Sequence, residues 1–267
     1  MRDIVSPLSG FGSPFGQRRR DTPAPAFDPD ALAYITAVET ADGEALEAGV
    51  REAINSFVVG CKADGIWDAL KASCILAGAR TLNGALVPLV GDAPTNFNFV
   101  SEDYNRKTGL KGDGSTKHLG SNYFASSHDQ SNFHMVACIE NVGSGFQRYI
   151  SAGPHLEIMR ASTAEFFAKS NATTIQTHPV GDLPGLVGIS RAGPTEYNWI
   201  GSSESGTQEL DVDTTVNGEY LIFRRNDTSA NYYVSRISFY GLGEALDLAA
   251  LDTRVSNLMT ALDGAIT

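Results

Sequence analysis

Between Asn83 and about residue 245, apolar and polar residues alternate with a period of two, in short runs divided by Gly, Asn, Asp or Pro. This pattern restricts the chain more than any other feature. The runs include LVPLV, NFNFV, HMVACIE, QRYISAG, LEIMRAS, LVGISRA, EYNWIGS, GEYLIFRR and YVSRISFYGL. About a dozen short strands at such spacing describe an antiparallel sandwich or barrel. The 27 glycines supply the turns, and Val216-Asn217-Gly218 has the composition of a hairpin turn. No repeat of roughly 20–50 residues occurs, which argues against a solenoid or propeller. The run GLKGDGSTKHLGSN reads as a β segment with Gly-supplied bends, not as a phosphate loop.

Residues 28–82 have a different period. Pro29 suits a first helical turn. Asp42 reads as the N-cap of a following helix in which Leu46, Val50, Ile54, Phe57, Val58 and Cys61 fall three or four apart. That helix stops near Gly65. A second, over IWDALKASCIL, would set Ile66, Leu70 and Cys74 on one face and complete an αα-hairpin. From residue 246 the chain turns helical again. Leu248, Leu251, Val255, Leu258 and Leu262 form an a/d-type seam about two heptads long, which serves either to pack on the sandwich or to join protomers.

Residues 1–27 form a segment of another kind. Ser6-Pro7 and Ser13-Pro14 disfavour helix and central strand. Yet Ile4, Val5, Leu8, Phe11 and Phe15 are apolar, and Arg18, Arg19 and Arg20 are the densest positive charge in the chain. The segment reads as an extended arm that docks on a partner, with apolar side chains in pockets and arginines on carboxylates.

Composition narrows the function. A net charge of −11 disfavours nucleic acid. No run has the length of a membrane span, and the N-terminus lacks the apolar core of a signal peptide. Three widely spaced cysteines, Cys61, Cys74 and Cys138, read as buried thiols in a reducing compartment. The five histidines lack metal-ligand spacing, and no cofactor or metal is expected, although Asp113 and Asp129 lie in oxygen-rich loops where a structural calcium would fit. Ser127-His128-Asp129 places triad residue types side by side without triad geometry, and no GxSxG elbow occurs. Glu209, Asp211 and Asp213 would share one face of a strand. Such a carboxylate row is what glycoside hydrolysis needs, and it resembles the E-x-D-x-E strand of concanavalin-like β-glucanases, with Asp213 in place of the last Glu. Its plain reading is the polar face of a half-solvated strand. Tyr197, Trp199 and Tyr232 are candidates for stacking on sugars.

The run from AVETADGEALEAGV through GLKGDGSTKHLGSN, with the ending SRISFYGLGEALDLAALDTRVSNLMTAL, resembles a module of tailed-phage virion appendages. That family comprises tail fibre, collar and head-fibre proteins of concanavalin A-like lectin/glucanase or laminin-G-like type. The resemblance implies a mainly β protein: an antiparallel jelly-roll sandwich over residues 83–245, preceded by the arm and the αα-hairpin and closed by a C-terminal helix. It further implies a non-enzymatic virion component, assembled in the host cytoplasm. Its arm would hold other virion proteins, its sandwich would face host-surface glycan, and it would form a homo-oligomer such as a trimer without membrane insertion. The alternative is a glycan-degrading enzyme acting through Glu209, Asp211 and Asp213.

Overall fold

The computed structural model describes residues 27–141, 147–160, 164–181, 183–228 and 231–267. The proposed arm residues Ile4, Val5, Leu8, Phe11, Phe15, Arg18, Arg19 and Arg20 lie outside them.

The molecule has three layers. Helices α1 (Pro29–Asp42), α2 (Ala48–Ala63) and α4 (Leu248–Ala265) belong to the first, along with the single turn α3 (Leu82–Ala85). The second is an antiparallel sheet containing β1 (Leu70–Ile75), β3 (Tyr104–Asn105), β4 (Gly109–Lys111), β6 (Phe133–Asn141), β11 (Gly185–Arg191), β12 (Glu196–Gly201), β13 (Glu204–Glu209) and β15 (Arg236–Gly243). Its order is β13-β12-β11-β6-β15-β4-β3, with β1 also paired to β15. The third layer holds β2 (Thr95–Phe97), β5 (His118–Phe124), β7 (Gln147–Gly153), β8 (Leu156–Arg160), β9 (Glu165–Ser170), β10 (Gln176–Pro179) and β14 (Glu219–Ile222), in the order β10-β9-β8-β7-β14-β5-β2. The expected antiparallel sandwich is therefore present.

Two apolar clusters explain the layering. Between the sheets lie Phe133, Met135, Ala137 and Ile139 of β6 with Ile150, Ile158, Phe166 and Ile222 of the third layer. On the other face of the first sheet, Val136, Cys138, Leu186, Ile200 and Phe239 meet Val50, Ile54 and Phe57 of α2 and Leu251, Val255, Leu258 and Leu262 of α4. The central strands of the first sheet, β1, β6, β11 and β15, are thus buried on both faces. Each such Leu, Val, Ile or Phe contributes about 1.5–3 kcal/mol by leaving water. The outer face of the second sheet is shielded at β8, where Glu157 and Met159 are buried, and is exposed at β2.

Several expectations require correction. The second helix of the αα-hairpin does not form: Trp67–Ala69 is a single 3-10 turn, and Leu70–Ile75 is β1. The cause is burial on both faces, with Ala72, Ser73, Cys74 and Ile75 all inaccessible, so no alternation marks the run as a strand. The helical hairpin is instead made by α1 and α2. Asp42 is not an N-cap of α2. It ends α1, and its carboxylate accepts from the backbone N–H groups of Arg80 (2.7 Å) and Thr81 (2.8 Å). Val216-Asn217-Gly218 is not a hairpin turn, because it lies on the connection from β13 in the first sheet to β14 in the second. The Leu248, Leu251, Val255, Leu258 and Leu262 seam is not free for another protomer, being 0–6% exposed against its own chain.

All three cysteines are buried and unpaired, and burial pushes the thiols of Cys61, Cys74 and Cys138 up to about 12. Among the described residues no helix is long and apolar enough to cross a membrane. The segment after β4 is the bend-rich β segment expected. Asp113 organises it by accepting backbone N–H groups of Ser115, Thr116 and Lys117 at 2.8–3.0 Å. Burial would raise that carboxyl, but these donors hold it well below its ordinary value.

Candidate functional site

β12 and β13 form the free edge of the first sheet, and in their ladder Glu196 stands directly opposite Glu209. Beyond Glu209 the pairing continues without regular strand: the Leu210 N–H donates to Thr195 O (2.8 Å) and the Val212 N–H to Pro194 O (2.8 Å). The alternation persists, with Glu209, Asp211 and Asp213 exposed and Leu210 and Val212 partly buried. Glu196, Glu209 and Asp211, together with Thr195 and Leu210, line an open pocket of about 340 Å³. A smaller hollow of about 130 Å³ shares Thr195 and Glu196.

Asp213 does not join them. Its carboxylate accepts from the Thr173 N–H (2.8 Å) and hydroxyl (2.7 Å), which hold it below its ordinary pKa. The carboxylate row read from the sequence is therefore two-thirds preserved, and the ladder adds Glu196, which sequence spacing does not connect to it. The EYNWIGS run locates β12, but only its pairing with β13 shows that Glu196 and Glu209 meet.

Arg191 supports this end of the sheet from inside. Its guanidinium is fully buried and donates to Ser170 Oγ (2.8 Å), Gly193 O (3.1 Å) and Leu210 O (2.9 Å), 5.4 Å from the Tyr197 ring centre. Burial pulls its pKa down, with Tyr197 and Asp211 acting in the opposite sense. Holding Leu210 from below, Arg191 fixes the backbone on which Glu209 and Asp211 stand.

The aromatic candidates separate. Tyr197 is 1% exposed, its hydroxyl sharing a 2.8 Å hydrogen bond with His178 Nε2, so it is a core residue and not a sugar-facing one. Trp199 points inward as well, stacked on His178 at 4.7 Å and closing the gap between the sheets. Tyr232 is half-buried at the other end of the sandwich, with its ring 5.5 Å from that of His118. In that same group Phe97, stacked on His118 at 4.2 Å, remains 41% exposed. The sequence reading did not single out Phe97.

No protein-family model matches the chain, and no curated protein matches it. Solved structures do. One is a Trypanosoma rangeli sialidase mutant displaying trans-sialidase activity, with TM-score 0.49, 11% identity, and coverage of 78% of this chain and 39% of that one. Another is the enzymatically active domain of tailspike protein 2 of bacteriophage CBA120, with TM-score 0.38, 11% identity, and coverage of 62% and 29%. A NanB sialidase of Streptococcus pneumoniae follows at TM-score 0.40 and 11% identity, covering 54% and 27%. The chain is similar to sialidases and to a phage tailspike. It spans well under half the length of each. The sequence reading expected a non-enzymatic protein, whereas the matched structures are sialidases and an enzymatically active tailspike domain.

Proposed function

We propose that the protein acts on bacterial surface glycan as part of a tailed-phage appendage, cleaving glycosidic bonds at the pocket of Glu196, Glu209 and Asp211. One observation carries this reading: two glutamates stand opposite each other in the β12–β13 ladder, with Asp211 beside them in the same pocket. Directly opposed residues in an antiparallel pair have Cβ atoms about 4.5–5.5 Å apart. Their carboxyl groups can then span either the roughly 5–5.5 Å of a retaining glycosidase or the 6.5–9.5 Å of an inverting one. In this assignment one glutamate donates a proton to the leaving oxygen. The other either attacks the anomeric carbon or activates water, and Asp211 stabilises the positive charge that develops on the sugar ring. The resemblance to virion appendages supports the phage context. Within it, the arm of residues 1–27 holds the particle.

Host capsule and lipopolysaccharide, incubated with purified protein, should release reducing ends. Glu196→Gln and Glu209→Gln should each slow release by a factor of about 100 or more, the usual scale of a lost general acid or base. Failure to release reducing ends from any of these glycans, or release unchanged in both variants, would overturn the assignment.

A further inference from the structure

The outer face of the second sheet carries a feature unrelated to the carboxylate pocket. Thr95, Asn96 and Phe97 of β2 pair with Gly120, Leu119 and His118 of β5. Leu119 is in the core, so Phe97 and His118 share the outward face. In a continuing strand Phe99 would join them. Instead Asn98 takes a left-handed conformation (φ 67°), which Asn tolerates, and breaks the alternation. Asn96 locks the bend, its Oδ1 accepting from the Phe99 N–H (3.0 Å) and its Nδ2 donating to Phe99 O (3.1 Å). Phe99 goes into the core against Phe223, and Phe97 stays on the surface.

The Phe97 ring lies parallel to His118, 4.2 Å away with a 5° interplanar angle. His118 is only 4% exposed, and the Tyr232 ring stands edge-on beside it. One face of Phe97 is thus occupied by His118, and the ring is still 41% exposed. Arg224 completes the group. Its guanidinium lies 5.2 Å from the Tyr232 ring centre and reaches His118 Nε2 at 3.3 Å. Among the described residues Arg224 makes no ion pair, and its Nε lacks a hydrogen-bond partner. Its neighbour Arg225 is neutralised by Asp227 at 2.8 Å. An unpaired guanidinium beside two aromatic rings is unusual in a chain of net charge −11. Glu219 is the carboxylate on this face at the Gly120 position, and it accepts from the Asn122 N–H (2.8 Å).

We propose that Phe97, Tyr232 and Arg224 form a binding subsite for a carboxylate-bearing sugar unit of an acidic polysaccharide. The apolar face of the sugar ring stacks on Phe97, as sugar rings do on exposed aromatics. The carboxylate takes the fork of Arg224, whose geometry suits two parallel N–H···O bonds. His118 positions both partners from below and touches no sugar itself. The subsite lies at the β2 edge of its sheet, whereas the carboxylate pocket lies at the β13 edge of the other. It therefore binds polymer apart from any cleavage. The proposal shares only its ligand class with the glycan reading above, and each can fail while the other stands.

The test is calorimetric titration of the full chain with tetragalacturonate and a hyaluronan hexasaccharide, each alongside its neutral methyl ester. At least one acid form should bind about tenfold or more tightly than its ester, the scale of one charge-assisted hydrogen bond. Arg224→Gln should erase that preference. Phe97→Ala, which removes the stacking surface, should weaken acid and ester alike. Equal binding of acid and ester, binding of neither, or an acid preference that survives Arg224→Gln would overturn the subsite.

Discussion

His134 and His178 show how much of this fold depends on neutral side chains. Both are buried, and desolvation pulls each pKa down from 6.5 to about 4. His134 Nδ1 donates to the carbonyl of Glu244, and its other nitrogen has no partner among the described residues. Because the folded pKa lies below the unfolded value, the unfolded chain takes up the proton first. The stability these residues allow is complete above about pH 6.5 and is lost as the pH falls towards 4, at up to about 1.4 kcal/mol per pH unit for each histidine. Denaturant unfolding at pH 7.5, 6 and 5 should show this decline, and a flat profile would refute it. Arg191 makes a second residue-scale case. Arg191→Met keeps the volume but strips hydrogen bonds from Ser170 Oγ, Gly193 O and Leu210 O. Orphaned buried acceptors make this a loss of the order of 3 kcal/mol, readable as a lower denaturation midpoint. At this scale the sequence was informative about the Glu209–Asp211 pair and uninformative about Glu196 and Phe97. The first depends on ladder register and the second on one left-handed Asn98, and neither leaves a periodic trace.

At the scale of elements, most strands were legible, the doubly buried β6, β11 and β15 among them, and β1 was not. β9 alternates, with Phe166, Ala168 and Ser170 buried and Glu165, Phe167 and Lys169 more accessible. β1 has water on neither face, and KASCIL therefore reads equally well as helix or strand. α4 was legible from its seam of three and four, but a seam does not say what it faces. Its partners are α2 and the first sheet. α2 and α4 approach closely, since a Cβ added to Gly49 would meet Ala265 Cβ at 2.9 Å, and Arg254 pairs with Asp64 at 2.6 Å. Leu251→Ala should therefore cost about 2–5 kcal/mol in unfolding free energy. The mass measured by light scattering should not change. If Leu251→Ala dissociated an oligomer with no loss of stability, the seam would be an interprotomer contact after all.

For the whole molecule, the decisive arrangement is helix, sheet, sheet. The described core begins at Phe27, which packs on the helical layer with Arg51 5.8 Å from its ring centre. The arm proposed for residues 1–27 predicts that removing residues 1–20 leaves a folded protein that no longer incorporates into particles. Normal incorporation of that truncation would remove the anchoring role. Composition and period were enough to give the sandwich. They could not give the third layer, because helical stripes and strand patterns state which faces are apolar and not which of them meet.

The double burial of the first sheet's central strands also bears on how such a protein adapts. A substitution on β6, β11 or β15 meets packed neighbours above and below, so those strands have little freedom to vary. Along β2 of the second sheet and β13 of the first, by contrast, most side chains are exposed. If the protein serves a phage appendage as proposed, a phage population passaged on a host with an altered coat should accumulate changes around Phe97, Tyr232 and Arg224 or along Glu196 to Asp211. Its helical layer and central strands should stay unchanged. Sequencing such lineages would show whether the molecule separates the part that persists from the part that negotiates.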